Sequence, residues 1–155
     1  MDIVNLFITF NGRINRAKFW IVVLCCAVFF LAVIGVTMTM SSSMSTIFGA
    51  ALIAYIPMTY VSLVSAIKRL HDRNKSGWWV LLFYGGPMAL PLAAAVLDGA
   101  TEASMALLLL QLVGLGILIW GFVEFGCLRG SIGQNRFGPD PLAPEVLTPP
   151  VRTHA

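Results

Sequence analysis

Four apolar runs, residues 19–40, 46–67, 78–97 and 105–127, take up most of this chain, and every lysine and arginine lies outside them. A bilayer core takes ~20 residues of helix, and each run has about that length. Strands of a membrane barrel would be ~10 residues long with alternating polarity, and these runs do not alternate. The sequence therefore predicts an all-α fold: an integral membrane helical bundle with four transmembrane helices. Composition agrees. The chain is 58% hydrophobic and 11% charged, where a soluble domain carries about 25% charged residues.

Charge sets the expected orientation. The ten basic residues fall in three segments: Arg13, Arg16 and Lys18; then Lys68, Arg69, Arg73 and Lys75; then Arg129, Arg136 and Arg152. The two other connections, 41–45 and 98–104, hold none. Basic residues concentrate on the cytoplasmic side of inner membranes, so both termini are expected in the cytoplasm. The basic side then faces the anionic lipids of the cytoplasmic leaflet, which accounts for the pI near 9.0 without nucleic acid. Other expected partners are a second copy of the chain or another membrane protein.

Residues 1–141 read as a single transmembrane domain and 142–155 as a flexible, proline-rich cytoplasmic tail. Residues 1–10 are apolar but too short to span, and are expected as a short interfacial helix. No cleavable signal peptide is expected, because the first run is long and well inside the chain. Cys25, Cys26 and Cys127 form no CxxC pair and are expected as free thiols. Asn74 is expected as a left-handed helix cap and Ser76 as the start of the third span. Gly85-Gly86-Pro87 and Pro91 should break that span. Gly114 and Gly121, seven apart on one face, should admit a close helix neighbour.

Three segments carry candidate chemistry. Gly12-Arg13-Ile14-Asn15-Arg16-Ala17-Lys18-Phe19-Trp20 opens the first span. Arg69-Leu70-His71-Asp72-Arg73-Asn74-Lys75-Ser76-Gly77-Trp78-Trp79 joins the second and third. Gly133-Gln134-Asn135-Arg136-Phe137-Gly138-Pro139-Asp140-Pro141 closes the domain. Together, in this order, they resemble the domain of unknown function 805 family of bacterial inner-membrane proteins, over roughly residues 5–141. The resemblance implies a small helical inner-membrane protein whose motifs all face the cytoplasm, and it implies no activity. This chain departs from the family pattern in its longer apolar stretch before the closing motif and in Arg73-Asn74 after Asp72.

The residues themselves leave several readings open. On a helix, Arg69 and Asp72 share a face. They could bind a lipid phosphate with His71 carrying a proton, or form a salt bridge that locks the turn. Arg13, Arg16, Arg69, His71, Asp72 and Arg136 are thus the candidate lipid- or partner-binding cap, with Asp72, Asp140 and Glu124 partnering the arginines. Glu124 is the one acidic residue within a span. It could serve a proton or cation, or it could pair with Arg69 or Lys68. No cofactor or metal is expected, since zinc needs three or four ligands and no such set is visible. The expected function is a non-enzymatic scaffold, regulatory or lipid-interacting module. A small oligomeric transporter using the 85–91 break and Glu124 is the first alternative. An enzyme on lipid phosphates using Arg69, His71 and Asp72 is the second.

Overall fold

The computed structural model of the chain describes residues 7–97 and 105–143. Four apolar helices build it. Helix α1 is Arg16–Met40, begun by Asn15, whose side chain accepts the Lys18 N–H at 2.9 Å. Helix α2 is Met44–Asp72. Helix α3 is Gly86–Leu97, entered through a π-helical turn at Leu81–Gly85. Helix α4 is Met105–Phe122, left through a second π-helical turn at Val123–Cys127. The expected interfacial helix lies outside the described residues over 1–6, as do the 98–104 loop and the tail from 144 onward.

Among the described residues three helices are long and apolar enough to cross a membrane: Arg16–Met40, Met44–Asp72 and Leu107–Cys127. By the same measure the fourth apolar stretch is Leu81–Ala93, and helical backbone runs on from it to Leu97. Pro87 has no N–H, and its ring crowds the carbonyl four residues earlier. The widened turn just before it absorbs that defect, with the Gly86 N–H bonding the Leu82 carbonyl.

Antiparallel pairing joins α1 to α2 and α3 to α4. The second pair closes on its small residues. A β-carbon on Gly114 would lie 3.6 Å from the Pro87 Cα, and one on Gly121 would lie 3.0 Å from the Phe83 ring. Outward faces remain apolar, with Leu24, Leu31, Ile53, Met88 and Leu112 all exposed. Such a surface suits lipid rather than water.

The protein-enclosed core sits at one end of the bundle. Ile14, Phe19, Ala66, Leu70, Val80, Phe83 and Phe125 meet there. Phe83 stands edge-on to both Phe125 and Trp120, with centroids 5.1 Å apart in each case. Such pairs add ~0.5–1.5 kcal/mol each beyond area burial. The same end holds the turn after α2. Lys75 donates its N–H to the Leu70 carbonyl and Asn74 to the His71 carbonyl, both at 2.9 Å, with Asn74 at φ 57°. This is the two-bond helix stop that a left-handed residue makes. It aims residues 73–79 back toward the bundle.

Candidate functional site

The cap is built on a helix end that cannot satisfy itself. The last four carbonyls of a helix have no partner within it, and the π-helical turn at Val123–Cys127 points its carbonyls toward α1 and α2. Five consecutive carbonyls are then taken by side chains from elsewhere. Arg69 Nε donates to Phe125 O at 2.7 Å. Trp20 Nε1 donates to Gly126 O at 3.2 Å. Arg16 donates to Cys127 O at 2.8 Å. Arg69 reaches Leu128 O through its second terminal nitrogen. Arg73 donates to Arg129 O at 3.0 Å. Cations at the negative end of a helix are favourable, so the dipole of α4 supports the arrangement.

Asp72 ties two of these arginines together. Its Oδ1 accepts from Arg13 Nε at 3.1 Å and its Oδ2 accepts from Arg69. All three residues are buried: Arg69 is 0%, Asp72 3% and Arg13 4% exposed. Arg13 continues to the carbonyls of Ser131, Gly133 and Gly138. The Asp72 carbonyl accepts both the Ser131 N–H at 2.7 Å and the Ser131 hydroxyl at 2.9 Å. The chain passes so close here that a β-carbon on Gly130 would fall 1.9 Å from Asp72 Oδ2. Among the described residues no buried side-chain polar atom lacks a partner.

Glu124 is 2% exposed. The expected pairing with Arg69 or Lys68 is not what forms. Glu124 Oε1 meets Arg73 Nε at 2.7 Å and Lys75 Nζ at 2.9 Å. The physical reason is that Arg69 is already drawn to the carbonyls beyond Glu124, while the tight turn at Asn74 folds Arg73 and Lys75 over the carboxylate. Lys75 also lies 5.3 Å above the Trp79 ring, a favourable cation–π contact. Asp140 differs from expectation too. Among the described residues it binds no arginine; it accepts the Gly133 N–H at 3.0 Å and the Leu142 N–H at 2.9 Å. Those two N–H donors hold its carboxyl below the ordinary aspartate range.

His71 faces away from Asp72. Its ring stacks on Phe137 with centroids 3.8 Å apart and planes 6° apart, and its Nδ1 lies 3.3 Å from Gly12 O. Asn135 donates to the His71 carbonyl and to Ser131 Oγ, both at 2.9 Å. Arg136 is exposed; it donates to Asn74 O at 3.1 Å and lies 4.7 Å from the Phe137 ring centre. The structure thus gathers Arg13, Arg16, Arg69 and Asp72 into one lock, with Glu124 beside it. His71 and Arg136 sit on a separate face with Phe137. Among the described residues no group of three His, Cys, Asp or Glu could hold a metal ion. The three cysteines are free thiols.

Sequence reasoning missed Gly130, Ser131 and the stack of Phe137 on His71. It also missed the run of carbonyls at 125–129, which carries no side-chain signature.

Similar proteins share nearly the whole length of the chain. "Inner membrane protein YhaH" of Escherichia coli strain K12 is 27% identical over 149 residues, covering 91% of this chain and 93% of that protein. "Uncharacterized protein YiiR" of the same strain is 27% identical over 140 residues, covering 90% of each. "Inner membrane protein YhaI" is 26% identical over 147 residues, covering 91% of this chain and 92% of that protein. No solved structure matches. The family described as Protein of unknown function (DUF805) matches residues 7–139, a stretch that takes in the first two motifs and the closing one as far as Pro139, and the chain belongs to that family.

Proposed function

We propose that the protein is a non-enzymatic module of a bacterial inner membrane, with its cap in the cytoplasm, acting through the surfaces it offers to lipid and to neighbouring membrane proteins. The observation that carries this reading is the use of the strongest polar groups. Both Asp72 oxygens and the guanidiniums of Arg13 and Arg69 are bonded inside the chain. They fasten three segments together rather than converge on an open space with His71. The orientation is supported by the gathering of the basic segments at one end, and the inner membrane by the names of two relatives as inner membrane proteins.

The test uses proteoliposomes and native mass spectrometry together. Native spectra of the protein released from its membrane should retain lipid, a second subunit or another protein. Turnover across a phospholipid panel should equal that of empty vesicles. Turnover lost in His71→Ala would overturn the reading in favour of an enzyme. Cys127, exposed at the capped end, should resist a membrane-impermeant maleimide applied outside the cell and react once the membrane is opened.

Transport is the second reading, supported by the π-helical break at Leu81–Gly85. Broken helices expose backbone groups within the membrane. It requires flux above that of empty vesicles and loss of that flux in Glu124→Gln.

A further inference from the structure

Beside the lock, a cleft of about 430 Å³ opens between the end of α2, the turn that begins the third helix, and Phe137. Its floor is apolar, formed by Ile67, Trp78, Val80 and Leu81. Its mouth is polar. His71, Ser76 and Gly77 line it with Phe137, and Arg136 lies 4.7 Å from the Phe137 ring centre. The apolar part therefore lies toward the spans and the polar part toward the basic segments, which is the polarity of a lipid lying in one leaflet.

His71 gives the mouth its chemistry. It is 9% exposed, and Gly12 O lies at its Nδ1. A carbonyl can only accept, so that contact places the ring proton on Nδ1 and leaves Nε2 with a lone pair. Among the described residues Nε2 has no hydrogen-bond partner, and it opens onto the cleft past Gly77. A β-carbon there would stand 3.6 Å from Nε2 and 3.0 Å from Ile67. A neutral imidazole nitrogen of this kind accepts a hydroxyl. In the turn that leads toward the third helix the Trp78 N–H bonds Ser76 Oγ at 3.5 Å, which leaves the Ser76 hydroxyl proton to meet an anion at the mouth. Arg136 donates to Asn74 O, and a guanidinium has five N–H donors.

We propose that this cleft binds one anionic glycerophospholipid with a hydroxylated headgroup. Its phosphate lies at Ser76-Gly77 and Arg136, its headgroup hydroxyl donates to His71 Nε2, and one acyl chain lies along Trp78 and Leu81. This rests on the reading of the protein as a module that works through its surfaces, and names the occupant of one of them. A zwitterionic lipid brings an ammonium beside Arg136 and is disfavoured. Free phosphate lacks a chain for the apolar floor and a hydroxyl-bearing arm for His71.

The experiment is native mass spectrometry of the full chain from nanodiscs of defined composition. Phosphatidylglycerol is compared with phosphatidylethanolamine, phosphatidic acid and soluble glycerol phosphate. The wild type should retain one phosphatidylglycerol. Arg136→Gln should weaken retention of both anionic lipids about tenfold, while Arg129→Gln, exposed but away from the cleft, should not. His71→Phe keeps the stack on Phe137 and removes Nε2. It should weaken phosphatidylglycerol roughly fivefold and leave phosphatidic acid unchanged, since of the lipid's contacts only the hydroxyl's is lost. Leu81→Trp, which fills the floor without touching the cap bonds, should abolish retention. Equal loss in Arg136→Gln and Arg129→Gln would reduce the effect to diffuse surface attraction and overturn the site. Binding of soluble glycerol phosphate as strongly as the lipid would overturn the commitment to a lipid. A wild type that keeps a protein partner but no lipid overturns the site and leaves the proposed function standing. A wild type that keeps neither, with lipid turnover present, overturns both.

Discussion

Replacing Asp72 by alanine leaves two buried guanidiniums facing each other with no anion between them. Arg13 and Arg69 cannot swing out to water, because carbonyls at residues 125, 128, 131 and 133 hold them in place. Removing one partner of a buried ion pair costs ~3–5 kcal/mol, chiefly through the charge left behind. Two charges are left here, but each keeps carbonyl acceptors, so a middle value of about 4 kcal/mol is expected. The loss should be local to the cap, since the helix pairs pack on separate apolar contacts. The reporter is the Ser131 amide, whose N–H bonds the Asp72 carbonyl at 2.7 Å. At ~1.4 kcal/mol per tenfold, its hydrogen exchange in nanodiscs should quicken by nearly three powers of ten. Amides in the middle of α1 should be unaffected. Adding Arg13→Met to Asp72→Ala should recover part of the loss, because it removes one of the unpaired charges. Exchange at Ser131 within about threefold of wild type in Asp72→Ala would refute the claim that this ion triad holds the cap closed.

Gly130→Ala forces a methyl onto a carboxylate that two arginines hold still, and should lower the unfolding free energy by roughly 3 kcal/mol in SDS titrations. Gly116→Ala, where a β-carbon meets nothing within 4 Å, should be neutral or slightly stabilising in the same titration. Glu124→Gln should cost less than Asp72→Ala, about 1–2 kcal/mol, because Arg73 and Lys75 are partly exposed and screened; an equal or larger loss would mean that Glu124, not Asp72, anchors the cap. Asp140 is stabilised in its charged form when folded, so its contribution is full above about pH 4 and fades as the pH falls through its lowered folded value. The amide shifts of Gly133 and Leu142 should titrate together with a midpoint below the ordinary aspartate value, and a midpoint at or above it would remove Asp140 as their acceptor.

Much of the fold could be read from residue chemistry that is local. Proline and paired glycines at 85–87 predict a broken helix, and the π-helical turn at Leu81–Gly85 is how the break is made. Asn74 tolerates the left-handed backbone, and φ 57° is found there. Gly114 and Gly121 leave room for the third helix, and Pro87 and Phe83 occupy it. Arg69 and Asp72 pair at helical spacing as expected. The lock itself was not legible for a different reason. Its acceptors are main-chain carbonyls, which every residue has. Nothing in a side-chain pattern says that those at 125–129 will be left unbonded by a widened turn. For Glu124 the sequence offers Arg69 and Lys68 as partners across the bundle, whereas the sharp turn after α2 delivers Arg73 and Lys75 instead. Gly130 carries no signal of its own in the sequence; only its distance from Asp72 shows that no side chain fits there.

The lock also has an order of assembly. Arg13 meets Asp72 across 59 residues, but its carbonyl partners at Gly133 and Gly138 lie 120 and 125 residues away. During synthesis the first three helices exist before any of those carbonyls do. Until the fourth helix is in place, Arg69 and Arg13 share a single carboxylate and are otherwise hydrated, and loop closure over such separations comes late. The segment made last is thus the one that fastens the segment made first. A nascent chain held short of residue 125 should display its arginines to solvent, and the finished chain should hide them, so that a protease or chaperone reading exposed basic side chains could tell complete copies from incomplete ones.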